Sequence, residues 1–175
     1  MLIMRSTSSI IFFRFIIIFL SQIIVFNNIT IYGASADIYI IFLLVFPQNI
    51  NKSLYYSIIF LFGIFLDSFS NSFGIITFSL LISSYLRPYI LDFSFGNFDM
   101  RKVGKVKDYL INTTIYQKLT YILLVVFSHN FIIYSVEIFS IYKIQLILRN
   151  TTISSLISIT LILILMSLFY YKNER

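Results

Sequence analysis

Two apolar runs separated by a short polar tip constrain this chain more than any other feature of it. Residues Leu61 to Pro88 read LFGIFLDSFSNSFGIITFSLLISSYLRP, and the tip is DSFSNSFG, with Asp67, Ser68, Ser70, Asn71 and Ser72 ahead of Gly74. A hairpin this apolar has too little polar surface to face water on its outer side. In a bilayer the same runs are two membrane helices joined by a tight turn. Asp67 then sits at a membrane boundary, where an ionised carboxylate is costly unless it reaches headgroups, water or a partner. Gly63 lies one turn earlier on the same helix face and lets another helix approach closely.

Composition extends this reading to the whole chain. Hydrophobic residues make up 59% and charged residues 11%, against roughly 25% charged in soluble domains. A core for 175 residues cannot hide that much apolar surface, so the expectation is one integral membrane domain. There is no cysteine, hence no disulfide framework and no thiolate metal site. The single histidine, His129, excludes a histidine-rich metal cluster. The 13 Tyr and 20 Phe read as apolar drift in an A+T-rich coding sequence, not as an aromatic binding surface.

Along the chain, hydropathy places six spans at about 10–31, 35–50, 53–67, 73–89, 116–139 and 153–171, with a polar loop over 92–115. Ala34-Ser35-Ala36 mimics a signal-peptide cleavage site. The preceding run is long for a signal peptide and Asn27 to Thr30 intervene, so the first span is kept. Arg14 interrupts that span close enough to its start to snorkel to headgroups. The second apolar run, Ile38 to Phe46, is short: it rises about 14 Å as helix against a hydrocarbon core of about 30 Å. It either borrows residues 34–37 and 47–50 or lies packed in protein. Pro47 suits a helix end, and the fourth span is expected to bend or stop near Arg87-Pro88.

Charge orients the set. With a cytoplasmic N-terminus and six crossings, Arg5, Lys52, Arg87, Arg101, Lys102, Lys105, Lys107, Lys118, Lys172 and Arg175 fall inside, and only Lys143 and Arg149 outside. This satisfies the positive-inside rule and puts both termini in the cytoplasm. With the N-terminus inside, a re-entrant second segment would turn the basic 92–115 loop outward, so the short run is counted as a crossing; an outside N-terminus with five crossings is the other arrangement. The basic loop reads as an anchor to anionic lipid or a dock for a cytoplasmic partner. Its interleaved acids, Asp92, Asp99 and Asp108, argue against nucleic acid.

Few residues offer chemistry. Asp67 either anchors the tight turn or meets a partner, or it caps the next helix, and the two readings can both hold. His129 and Glu137 share the fifth span, but eight residues separate them by two turns and about 80° round the helix, so any relay between them needs a bridge. His129 and Asn130 read chiefly as helix–helix hydrogen bonders, and Glu137 as a partner for Lys143 or Arg149. No phosphate loop, zinc-protease motif or nucleophile elbow occurs, and no catalytic, cofactor or metal site is expected.

The order Gly63-x-x-x-Asp67-x-x-Ser70, then Gly74, then a long apolar helix closing in Tyr85-Leu86-Arg87-Pro88, resembles the core of the MreD family, rod shape-determining proteins of the bacterial inner membrane, in its Bacteroidetes-like form. Gln22 to Gly33 and Asp37 to Pro47 are similar to it as well; beyond Pro88 only the pattern of spans matches. The resemblance implies a non-enzymatic scaffold that acts with MreC. Such a scaffold helps couple MreB filaments to the glycan polymerase RodA and a class B penicillin-binding protein. It implies structural or interface roles for Gly63, Asp67, Ser70, Gly74, Arg87 and Pro88. The family is similar in plan to the substrate-binding S-components of energy-coupling-factor vitamin transporters, also six-span all-α bundles. That binding role is the alternative function, although the chain has no Trp to line a vitamin pocket.

Overall fold

The computed structural model describes residues 2–27, 30–47, 50–96 and 113–171. The chain is mostly helical. Helix α1, Leu2–Ser21, continues through one wide π turn, Gln22–Phe26. A two-stranded hairpin follows, β1 (Thr30–Ile31) against β2 (Ala34–Ser35), with Ile31 opposite Ala34. Tyr32 and Gly33 at its tip both have positive φ, 53° and 81°, the twist that a two-residue hairpin turn requires. Then come α2 (Ile40–Leu44), α3 (Lys52–Ser70), α4 (Ile75–Phe95), α5 (Ile115–Ile138), a 3-10 turn at Ile141–Lys143 and α6 (Ile144–Tyr171). Among the described residues three helical stretches are long and apolar enough to cross a membrane: Lys52–Ser70, Ile115–Ile138 and Ile141–Met166.

Local chemistry sets the ends. The Asn51 side chain accepts from Ser53 N–H at 3.2 Å and starts α3, while Asn71 ends it in the left-handed conformation. Thr114 and Gln117 form a reciprocal capping box at the start of α5. The sequence places α3 and α5 within three residues of these ends. It ends the fourth span too early, because Pro88 sits inside α4 and the helix continues to Phe95. Proline removes one hydrogen bond, to the Ser84 carbonyl, without stopping a helix that packs on both sides. Helix α6 begins nine residues before the expected 153, since Arg149 to Thr152 depress hydropathy without breaking the helix. The basic centre of the 92–115 loop and residues 172–175 lie outside the described residues.

Ring contacts and hydrogen bonds fix the packing. Phe15 and Phe19 of α1 meet Phe62, Phe65 and Phe69 of α3 in the same order, so these helices run parallel. The segment between them therefore returns the whole way. It passes Gln22 at Ala36 and Ile38, and Arg14 at Val45. Among its described residues only the five of α2 are α-helical; the others are turn and extended chain. It combines the direction of a crossing with the burial expected of a segment packed in protein: Ile40, Leu43 and Leu44 are wholly buried. Helices α4 and α5 run antiparallel, as do α5 and α6, with α4 packed between α3 and α5.

The bundle is apolar outside, and within it an apolar core encloses a set of polar side chains. Helix α4 buries Thr77, Ser79, Ser83, Ser84, Arg87 and Ser94 while exposing Phe78, Tyr85, Tyr89 and Phe93. A helix packed in water turns the opposite face inward.

Candidate functional site: a polar interior around an unwound segment

The hairpin singled out in the sequence is one interlocked unit. A Cβ on Gly63 would lie 2.6 Å from the Thr77 Cα, so only glycine permits α3 and α4 to approach this closely. That approach carries Asp67 to the start of α4. Its carboxylate accepts from Ile76 N–H at 3.0 Å and Thr77 N–H at 2.9 Å, and from the hydroxyls of Ser72 and Thr77. Gly74, at φ 90°, has no side chain to cap α4, and Asp67 supplies the cap from the preceding helix. The same carboxylate therefore anchors the turn and caps the helix. The Ser70 hydroxyl donates to Asn27 Oδ1 at 3.2 Å and ties the hairpin to the end of α1.

The unwound second segment presents a different problem. Residues 36–46 contain main-chain groups that no regular helix satisfies, and burial denies them water. Side chains from four helices take that place. At one end Gln22 of α1 donates to the Ala36 carbonyl at 3.1 Å and accepts from Ile38 and Tyr39 N–H at 3.0 and 3.2 Å. Ser158 of α6 accepts from Asp37 N–H at 2.9 Å, and Ser154 donates to the Ser35 carbonyl at 2.8 Å. Tyr134 of α5 accepts from Ser35 N–H at 3.2 Å.

At the other end two arginines hold carbonyls at and just past the end of α2. Arg87 donates through Nη2 to Leu44 O at 3.2 Å and Phe46 O at 2.6 Å, and through Nε to the Tyr121 hydroxyl at 2.9 Å. Tyr121 in turn donates to Leu44 O at 3.1 Å. Arg14 donates to Val45 O at 3.3 Å. The partial negative charge at a helix C-terminus favours both guanidiniums. Sequence reading gave neither contact: Arg87 is 1% exposed and enclosed by the protein, and Arg14 donates to the protein's own backbone.

Between these ends lie Asp37 and His129. Asp37 accepts from the Ser35 and Ser154 hydroxyls at 3.1 and 3.2 Å. The Asn130 amide, turned so that both its ends are satisfied, donates to Asp37 Oδ2 at 3.1 Å and accepts from Ser155 N–H at 3.2 Å. His129 has both ring nitrogens engaged, Nε2 with the Tyr39 hydroxyl and Nδ1 with the Ser83 hydroxyl, each at 3.0 Å. The imidazole thus joins α4, α5 and the unwound segment, as the helix-bonding reading expects. Glu137 is exposed, and among the described residues no ion pair joins it to Lys143 or Arg149.

Of the residues singled out in advance, Gly63, Asp67, Ser70 and Gly74 meet in the hairpin. Arg87 and His129 lie in the interior on facing helices, Pro88 is one residue beyond Arg87, and Glu137 stands apart from all of them. Sequence reasoning missed Gln22, Asp37, Tyr121 and Ser154 as members of the interior. One signal was available: Thr151, Ser154, Ser155 and Ser158 recur at helical spacing, and all four are buried. No family model, curated protein or solved structure matches the chain.

Proposed function

We propose that this protein is a non-enzymatic membrane scaffold of the MreD type, embedded in the bacterial inner membrane by six segments with both termini cytoplasmic. The observation that carries the reading is the hairpin. Each of Gly63, Asp67, Ser70 and Gly74, the core of the resemblance, has a packing or capping task there, and Asp67 and Gly74 also border the groove beside it. The alternating direction of the segments and the apolar exterior support the membrane placement. The interior polar groups support the scaffold role, since Gln22, Arg87, Ser154 and Ser158 are spent on holding the chain's own backbone.

In this reading the protein works by presenting helix surfaces. An open, mostly apolar groove of about 700 Å³ runs beside the hairpin, lined by Phe60, Ile64, Phe78 and Leu81 and, toward the turn, by Asp67 and Asn71. A transmembrane anchor such as that of MreC would pack there, and MreB, RodA and a class B penicillin-binding protein would assemble through the wider complex. Depleting the protein should round rod-shaped cells, and tagged protein should co-purify with MreC. Asp67→Lys should do the same as depletion, because a cation at the start of α4 meets N–H donors and the positive end of the helix. His129→Ala should leave shape unchanged. Normal rods on depletion, with saturable binding of a vitamin by the purified protein, would replace the scaffold with a transporter S-component.

A further inference from the structure

Three turns close one end of the bundle, and each lifts an aromatic ring out of the fold. Tyr32 tips the β-hairpin, Phe73 the α3–α4 turn and Phe139 the α5–α6 turn, and they are 80%, 98% and 88% exposed. All three have left-handed backbones, φ 53°, 50° and 42°. Bulky side chains rarely adopt that conformation, and glycine or asparagine is the usual solution. Ile141 and Tyr142 beside Phe139 are 89% and 100% exposed.

These turns lie together. The Ser70–Asn27 bond joins the end of α1 to the end of α3, and the Ser35–Tyr134 bond joins β2 to the last turns of α5. Helix length fixes their depth. The 19 residues of α3 rise about 28 Å, nearly the full hydrocarbon thickness of about 30 Å, so Phe73 stands just past one boundary. Exposed charge at this end is sparse, Lys143 and Arg149 against Glu137. Turns that project into water usually keep large apolar rings covered; here each turn sets an exposed aromatic ring among its polar residues.

We infer that this end of the bundle does not stand clear of the membrane but is sunk into the interfacial layer of the lipid bilayer. Tyr32, Phe73, Phe139 and Tyr142 fit the headgroup–acyl boundary, where rings with an apolar body are favoured, while Lys143 and Arg149 reach lipid phosphates. The rings continue the apolar sides of α3 and α5 and so extend the lipid-facing surface over the end of the bundle. The inference rests on the membrane placement proposed above and adds to it what covers the turns.

The chain contains no tryptophan, so a single introduced indole reports its own surroundings. Tyr32→Trp, Phe73→Trp and Tyr142→Trp would be made in the full chain and reconstituted into phosphatidylcholine vesicles. The lipid would carry bromine either near the glycerol end or deep in the acyl chain. Leu123→Trp, on the exposed flank of α5, serves as the depth reference. The tip indoles should be quenched most by shallow bromine and little by aqueous iodide, and Leu123→Trp most by deep bromine. Tip indoles open to iodide and unaffected by bromine, with Leu123→Trp still deep, would place the turns in water and overturn the inference alone. Tip indoles shielded from both quenchers would mean a protein cover, which also overturns it. Loss of bromine quenching at Leu123→Trp as well would remove the membrane placement itself.

Discussion

A methyl group at position 63 would lie 2.6 Å from the Thr77 Cα, and backbone cannot swing aside as a flexible side-chain end can. Gly63→Ala should therefore destabilise by about 1–3 kcal/mol, read as a lower midpoint of thermal unfolding in detergent. Gly63→Ala combined with Thr77→Ala should not restore it, since the closest atom is main chain. Asp67→Ala leaves two N–H groups and two hydroxyls without their acceptor and should cost about 2–4 kcal/mol; Asp67→Asn, which keeps an acceptor oxygen, should cost less. Arg87→Lys tests the fork. A single ammonium cannot reach Leu44 O, Phe46 O and the Tyr121 hydroxyl together, so a loss of about 2–4 kcal/mol is expected despite the retained charge. Gly63 and Asp67 were legible in the sequence because their spacing alone puts them on one face. Arg87 was not: hydropathy and charge counting assign an arginine to a leaflet, whereas its burial depends on carbonyls contributed more than forty residues away.

The second segment shows the same limit at the scale of an element. Its nine apolar residues, Ile38 to Phe46, are too few for a spanning helix, and that much the sequence makes plain. It does not show that four helices furnish the missing hydrogen bonds, because those donors and acceptors are serines, a glutamine and tyrosines scattered over the whole chain. Non-helical backbone is tolerated at membrane depth only where protein surrounds it, and here Gln22 alone serves three main-chain groups. In hydrogen exchange the Asp37, Ile38 and Tyr39 amides should be as protected as those of the flanking helices. Gln22→Ala should speed exchange at Ile38 and Tyr39 by about tenfold or more, given about 1–3 kcal/mol for each orphaned buried group. Equal rates in the two proteins would show that the segment is held by something other than this side chain. Helices α3 and α5 were read closely because continuous apolar runs end in polar caps. Helices α4 and α6 were cut short, because Pro88 and the Arg149–Thr152 stretch weaken a hydropathy signal without breaking the hydrogen-bonded ladder.

Across the described residues, polar groups that a protein dissolved in water keeps outside are buried among apolar ones, and the outside is apolar. Arg87, His129, Asn130 and a row of serines are inside, and phenylalanine, leucine and isoleucine cover the outside. An interior built this way gains little by hydrophobic collapse; its cohesion comes from close helix approach and from hydrogen bonds that lipid cannot replace. The mostly helical, apolar character could be read from composition and hydropathy, since these are properties of residues summed along the chain. The interior could not, because it depends on which helix faces meet. If lipid is the solvent of the outer surface, single spin labels at Leu61, Leu123 and Leu156 decide it most directly; the chain has no native cysteine to interfere. In vesicles these three positions, exposed on α3, α5 and α6, should collide readily with oxygen and hardly at all with a water-soluble nickel chelate. Collision with the nickel chelate at rates typical of a water-exposed helix would contradict the account.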